Sequence, residues 1–388
     1  MIPSKDNSYC YYPFKQLAIS HWDSNGIRCV NPCCNMASPL NPDPLNTAKD
    51  IHNDVEKLFN LPQLQNIRTQ MLNGEYPEAC NGCYKAEKYG TSPRLMLDTT
   101  VNNELEWLDI HLGNKCNLRC RMCHPALSNQ LNKDAEQFKQ DGYNYWWDSV
   151  PDIAPHDITV LYPVLHKITN IRVSGGEPLL SKEYFQLLDY CIENNLAHNI
   201  TLELHTNATK FTNANVNRLN KFKHINATFS IDGVHKIYEY IRFPFAFQLL
   251  ENSMKNFFDN VKNYTVQINY VVSIYNVFDI RNTMFWAKQY SIDDFVITNV
   301  FPAKRNIDIC HLPITLLYTA IEMLHDVGYR TENFKNGIVQ SIEDNKYNDY
   351  NMDKWKEIKE EVMQFDKNRN QNYRNYLNSY IIDWLDKI

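Results

Sequence analysis

The chain has 388 residues, of which 44% are apolar and 22% charged, with a formal net charge of −6. These totals fit a globular protein with one large α/β domain and a smaller one, or with two medium domains, and the acidic balance leaves no broad basic footprint for duplex nucleic acid. No run of about 18 apolar residues predicts a membrane span. Residues 1–19 show no charged segment leading into an apolar one, so no signal peptide is expected and the reading is cytoplasmic.

Residues 1–100 come first and are cysteine-bearing, holding Cys10, Cys29, Cys33, Cys34, Cys80 and Cys83 out of eleven cysteines in all. In a reducing compartment, thiols clustered at short spacings point to metal or iron–sulfur ligation rather than to disulfides. Cys33 and Cys34 are adjacent, so their side chains diverge and cannot readily share one metal. Between the thiol groups, apolar residues at Val55, Leu58, Phe59, Ile67 and Met71 follow a helical period over 54–72.

Residues 104–302 alternate strand-like with helix-like runs. Strands are predicted at 107–112, 168–174, 200–205, 227–231, 265–272 and 295–301, and helices at 182–193, 213–222, 246–261 and 279–289. Regular alternation predicts parallel βαβ units. Six of them fit a partial (β/α)6 barrel of TIM type, with its chemistry at the carboxyl ends of the strands, or a doubly wound open sheet; periodicity alone does not separate the two. The 124–163 segment is long for one crossover and carries Tyr143, Tyr145, Trp146 and Trp147, which read as a packed peripheral helix in preference to a lid over a substrate. Helical patterns at 314–324, 331–342, 351–365 and 373–388 predict a helical C-terminal extension over 311–388.

The most specific motif is Cys116-Asn-Leu-Arg-Cys120-Arg-Met-Cys123, directly after the first predicted strand of this region. Three thiolates on one short loop can hold three irons of a cubane cluster and leave the fourth open. A closed zinc site needs four ligands, and His124 offers the fourth. Ser174-Gly175-Gly176-Glu177-Pro178 ends the next predicted strand, where two glycines let a ligand approach the backbone and a carboxylate can meet an ammonium group. Both motifs belong at the same mouth of a barrel.

This pair of motifs resembles the radical S-adenosylmethionine (SAM) superfamily over about residues 104–302. The resemblance implies that Cys116, Cys120 and Cys123 bind a [4Fe–4S] cluster whose open iron is chelated by SAM, that Gly175, Gly176 and Glu177 contact the methionine moiety, and that Met122 packs against adenine. Thr206-Asn207-Ala208 stands where the family often has Thr-Asn-Gly. Ser230, Asp232 and Arg242 resemble groups that hold the carboxylate and ribose of SAM, and Asn276 is a further ribose candidate. The implied chemistry is reductive cleavage of SAM to a 5′-deoxyadenosyl radical, in an oxygen-sensitive enzyme fed by a flavodoxin or ferredoxin.

The segment from Gly74 to Arg94 resembles the auxiliary-cluster region of SPASM/twitch members, although that region usually follows the barrel. Under the resemblance, Cys10, Cys80 and Cys83 plus one of Cys29, Cys33 or Cys34 hold a second iron–sulfur cluster, with a structural zinc knot as the alternative. Cys310, past the sixth strand, is a candidate hydrogen-atom donor, whereas Cys191 reads as core. An auxiliary cluster favours a peptide or protein substrate. A small molecule such as a sugar, nucleotide or cofactor precursor is the second reading, and a zinc-stabilised interaction protein the third.

Overall fold

A computed structural model describes residues 8–23, 26–33, 36, 54–87, 94, 102–152, 157–300, 305–324, 335, 338, 339, 342 and 351–388. A short helix α1 (Tyr12–Lys15) leads into the hairpin β1 (Gln16–Asp23) and β2 (Gly26–Asn31), followed by α2 (Val55–Phe59), α3 (Pro62–Leu72) and α4 (Asn81–Glu87). The single helix expected over 54–72 is two, because Leu61 turns extended ahead of Pro62 and the proline opens the new helix.

The six expected strands are all present, as β3 (Trp107–His111), β4 (Asn170–Ser174), β5 (Thr201–Thr206), β6 (His224–Ser230), β7 (Tyr264–Val272) and β8 (Asp294–Asn299). Helix α5 (Asn132–Gln140) lies between β3 and β4. It is followed along the chain by α6 (Lys182–Glu193), α7 (Asn213–Leu219), α8 (His235–Ile241), α9 (Phe247–Asn260) and α10 (Ile280–Ala287). Ser181 and Thr212 accept the backbone N–H of Tyr184 and Asn215 and so start α6 and α7 where the apolar period begins.

The strand order is β2-β1-β3-β4-β5-β6-β7-β8, with every pair from β1 to β8 parallel and only β1–β2 antiparallel. From β3 onward the order never reverses, so right-handed crossovers stack the helices on one face, as in a partial barrel; a doubly wound sheet reverses at a switch point. The two faces differ accordingly. Leu108, Ile110, Ile171, Val173, Leu202, Leu204, Phe229, Ile268 and Tyr270 are buried in one apolar cluster with Tyr184, Leu187, Leu188 and Cys191 of α6. Between them, on the concave face, Asp109, Arg172, Glu203 and Asn226 sit side by side in register. Polar residues on that face are tolerated because water or substrate, rather than helix, meets them.

β1 was not foreseen. It pairs parallel with β3, Gln16 opposite Trp107 and Ile19 opposite Ile110, so the N-terminal segment shares the sheet instead of standing beside it. The C-terminal region is helical, with α11 (Ile314–Glu322), α12 (Met352–Arg369) and α13 (Ser379–Lys387); the helix expected over 331–342 lies mostly outside the described residues. The 141–151 aromatic segment is not helical, but it does pack: Trp147 is buried with Phe138 and Phe365. Among the described residues no helix is long and apolar enough to cross a membrane.

Candidate active site

A cleft of about 860 Å³ opens at the carboxyl ends of the strands and is lined by Cys116, Cys120 and Cys123 together. The loop that carries them has neither helix nor strand of its own, so its shape is set by neighbours. The backbone N–H of Arg119 and Arg121 donate to Phe243 O (2.7 Å) and Ile241 O (2.9 Å), and Ser128 Oγ donates to Leu118 O. Burial pushes the Cys116 thiol up to about 12, with Cys120 beside it adding to the shift; burial also raises Cys120 and Cys123, while the Arg242 cation works against the shift at Cys120. N–H donors already aim at sulfur. Leu118 N lies 3.5 Å and Asn207 Nδ2 3.8 Å from Cys116 Sγ, and Arg242 Nη1 lies 3.8 Å from Cys120 Sγ. Donors of this kind stabilise thiolates that ligate a metal.

The other expected residues divide into two groups. Met122, Gly175, Gly176, Thr206, Asn207, Ser230 and Arg242 line the same cleft. Glu177, Asp232 and Asn276 do not, because the protein itself consumes their polar groups. Glu177, 1% exposed, accepts from Thr206 Oγ1 (2.7 Å), Asn207 N (2.7 Å) and Leu179 N (3.1 Å), and so ties the end of β5 to the loop after β4. Asp232 accepts from Val271 N at 2.8 Å and pairs with Arg242 at 2.5 Å, which holds that guanidinium beside Cys120. Asn276 donates to Asp232 O and Val271 O (2.9 Å each) and locks the turn after β7.

The glycines line the cleft, and each also makes a close approach within the protein. Gly175 and Gly176 have φ of +85° and +52°, a region that favours glycine. A Cβ on Gly175 would lie 2.6 Å from His111 Nε2 and 2.7 Å from Gly113 O, and one on Gly176 would collide with the backbone of Lys115. They let the loop after β4 close against the loop that leads to Cys116. Ala208, where the resembled family often has glycine, takes φ +60° and so holds a left-handed turn without that freedom.

Sequence reasoning missed His205, Asn269, Val271, Thr298 and Asn299, which line the cleft at the strand ends; His124, named as a possible zinc ligand, and Trp146, from the segment weighed as a lid, line it too. The polar phase of each strand, read one position at a time, was the available signal for the first group. Trp146 is 44% exposed at the cleft with the Arg305 guanidinium 4.5 Å from its ring, so this one aromatic of the segment faces the site. His124 Nδ1 accepts from Ala126 N at 3.0 Å, which removes that nitrogen from the pool of zinc ligands. Cys310 sits in the turn Ile309–His311, its N–H donating to Asp308 Oδ1, and is not among the residues that line the cleft.

Burial, followed by the nearby Arg172, lowers His205 to about 4. An unfolded chain therefore binds a proton near pH 6.5 that the folded chain refuses until about pH 4, so acidification through that window favours unfolding. We expect His205→Gln to remove about 2–3 kcal/mol of the stability lost between pH 6.5 and 4. Denaturant melts of both proteins at pH 7 and 4.5 check this, and an unchanged pH slope would refute it.

A second thiol group lies near the amino end of β1. Cys10, Cys33, Cys80 and Cys83 line a small pocket of about 20 Å³ together with Arg94. Burial and the neighbouring thiols push Cys10 up to about 12 and Cys80 to about 11. Cys29 is not among the lining residues but pairs with His21 across the β1–β2 hairpin, and Cys34 lies outside the described residues. Arg94 is held at the pocket by Glu87 (2.5 Å) and Tyr9 O (2.6 Å). Among the described residues no three His, Cys, Asp or Glu side chains are close enough to hold a single metal ion.

Residues 110–287 match the model of the Radical SAM superfamily, a span that begins in β3 and ends with α10. The chain carries a radical SAM domain. A curated relative, the probable GTP 3',8-cyclase of Methanocaldococcus jannaschii, is 28% identical over 124 residues, covering 30% of this chain and 36% of the relative. Similar solved structures include Streptococcus suis SuiB bound to S-adenosylmethionine (18% identity, 68% of this chain and 49% of that one, TM-score 0.35). Another is native anSMEcpe with bound AdoMet (17% identity, 58% and 60%, TM-score 0.38). The chain thus spans about a third of the curated relative and about half of SuiB.

Proposed function

We propose that this chain is an iron–sulfur enzyme that reductively cleaves SAM and uses the product to modify a peptide or protein. The observation that carries the reading is the convergence of Cys116, Cys120, Cys123, Gly175, Gly176 and Arg242 on one cleft. The residues fit the cofactors: two of the three thiols, Cys116 and Cys120, receive N–H donors, and an arginine held by a buried carboxylate stands beside Cys120. When bound, the [4Fe–4S] cluster and SAM supply a single electron and a carbon-centred radical able to abstract hydrogen from a substrate.

The chain's own residues orient these groups and keep water away. Cys116, Cys120 and Cys123 would hold the cluster. Arg242 offers its positive charge to a carboxylate in the cleft, and Ser230, Thr206 and Asn207 offer hydroxyl and amide groups along the strand ends. His205, kept neutral by burial, faces the substrate side without adding charge. Cys10, Cys33, Cys80 and Cys83 would hold a second iron–sulfur cluster, and this auxiliary site favours a peptide or protein as substrate. The likeness to a probable GTP cyclase favours a small molecule as the second reading.

Anaerobic reconstitution tests the proposal. A brown protein with about four to eight irons that cleaves SAM under dithionite supports it. A colourless protein with zinc and no iron would overturn it. Mass spectrometry of candidate peptides produced alongside the enzyme separates the two substrate readings.

A further inference from the structure

We infer that the C-terminal helix α12 is a positioning element for the Cys116–Cys123 loop and acts through the buried Arg121–Asp366 ion pair. The inference rests on the proposed role of that loop as the cluster cradle. Its physical basis is the buried face of α12, which presents Glu361, Phe365, Asp366 and Arg369 at spacings that share one side of a helix. A helix that merely covers a core buries apolar side chains, whereas buried charges persist only where they are paired.

Each charge on this face is paired: Asp366 with the loop itself, Arg369 with it through Asp134, and Glu361 with the segment that carries Trp146. Asp366 Oδ1 accepts from Arg121 Nη2 at 2.6 Å, and Arg121 lies between Cys120 and Cys123. Arg369 pairs with Asp134 at 2.8 Å, and Asp134 also takes Arg119, on the other side of Cys120, at 3.3 Å. Glu361 accepts from Tyr145 Oη (2.9 Å) and Asn306 Nδ2 (2.8 Å), which ties down the segment carrying Trp146.

Arg121 is enclosed on every side. Its guanidinium lies 3.6 Å from the Tyr240 ring centroid, donates from Nε to Tyr240 O at 3.0 Å, and reaches Gln371 Oε1 at 3.0 Å. Arg305 donates to Met122 O at 2.7 Å, which holds the loop carbonyl next to Cys123. Three sulfurs on a segment without regular structure keep a fixed spacing only if the residues between them are immobilised. Besides the bonds from Phe243, Ile241 and Tyr240, Arg121 is held by Asp366 and Gln371, Met122 O by Arg305, and Arg119 shares Asp134 with Arg369; Arg305, Asp366, Arg369 and Gln371 all lie beyond the matched span 110–287. The positioning residue is Asp366, since its loss leaves a fully buried guanidinium without its counter-charge.

Two full-length variants test this: Asp366→Asn, and the double replacement Arg121→Met with Asp366→Leu, which removes the pair without stranding a charge. The readouts are amide hydrogen exchange over 116–123 in cluster-free protein, thermal midpoint, and iron content and EPR signal after anaerobic reconstitution. Asp366→Asn is expected to speed exchange in the loop on the order of ten- to a hundredfold while α9 is unaffected, with lower iron and an altered EPR signal. The double variant is expected to recover the thermal midpoint but not the loop protection or the EPR signal. Recovery of all three would reduce the pair to packing and overturn the inference, as would unchanged exchange and EPR in a folded Asp366→Asn. Wild-type protein that takes up no iron would instead count against the proposed function and leave the exchange comparison intact.

Discussion

Cys120→Ala is expected to lower dithionite-driven SAM cleavage more than about a hundredfold, beyond the loss usual for a metal site's outer partners. Cys120 is buried, 8% exposed, at the centre of the loop, with Arg242 Nη1 3.8 Å from its sulfur and Arg242 paired to Asp232. Alanine keeps the backbone bonds of Arg119 and Arg121 and leaves the Arg242–Asp232 pair in place, so the fold should persist while one of three ligands is lost. Iron should fall by about four per chain, the content of one cubane. Circular dichroism separates lost ligation from lost fold. A folded variant with full cleavage would show that the thiol triplet is not the cradle.

The second large effect concerns the N-terminal thiols. Cys33→Ala and Cys83→Ala should each remove about four irons while SAM cleavage stays within about threefold of the parent, because the Cys116–Cys123 loop and its supports are untouched. Cys29→Ala should leave metal content unchanged, since Cys29 pairs across the hairpin and Cys33 reaches the pocket. Substrate turnover, once a substrate is in hand, should fall in the first two variants only. Metal analysis decides the alternative chemistry: loss of one zinc with iron unchanged would make the site a structural knot. An unchanged metal content in Cys33→Ala would remove it from the ligand set.

Much of the fold was legible because strands and helices announce themselves locally. All six strands fall within a few residues of expectation, and α6 was predicted at its observed bounds of Lys182–Glu193. The β1–β2 hairpin was overlooked among the cysteines and prolines of the first hundred residues, although Leu17 and Ile19 are buried in the core. At the site, the positions of polar residues were legible but their internal partners were not. Glu177, Asp232 and Asn276 are all at strand ends as expected, and each also holds the protein's own backbone or side chains. A carboxylate reads the same in a sequence whether its partner is a cofactor amine or a neighbouring N–H.

What the sequence alone determined is what short spacing can encode: three thiols on one loop, two glycines one strand later, and alternating strands and helices that place both at one end of a parallel sheet. Tertiary structure decided the rest, since it depends on contacts between distant positions. It chose a barrel over a doubly wound sheet through a strand order that never reverses from β3 onward, and it gathered Cys10, Cys33, Cys80 and Cys83 around one pocket. It also brought Asp366 to Arg121 across 245 positions. No periodicity links such residues. They meet because burying a charge is costly, and the fold that survives is the one in which each buried charge finds its partner.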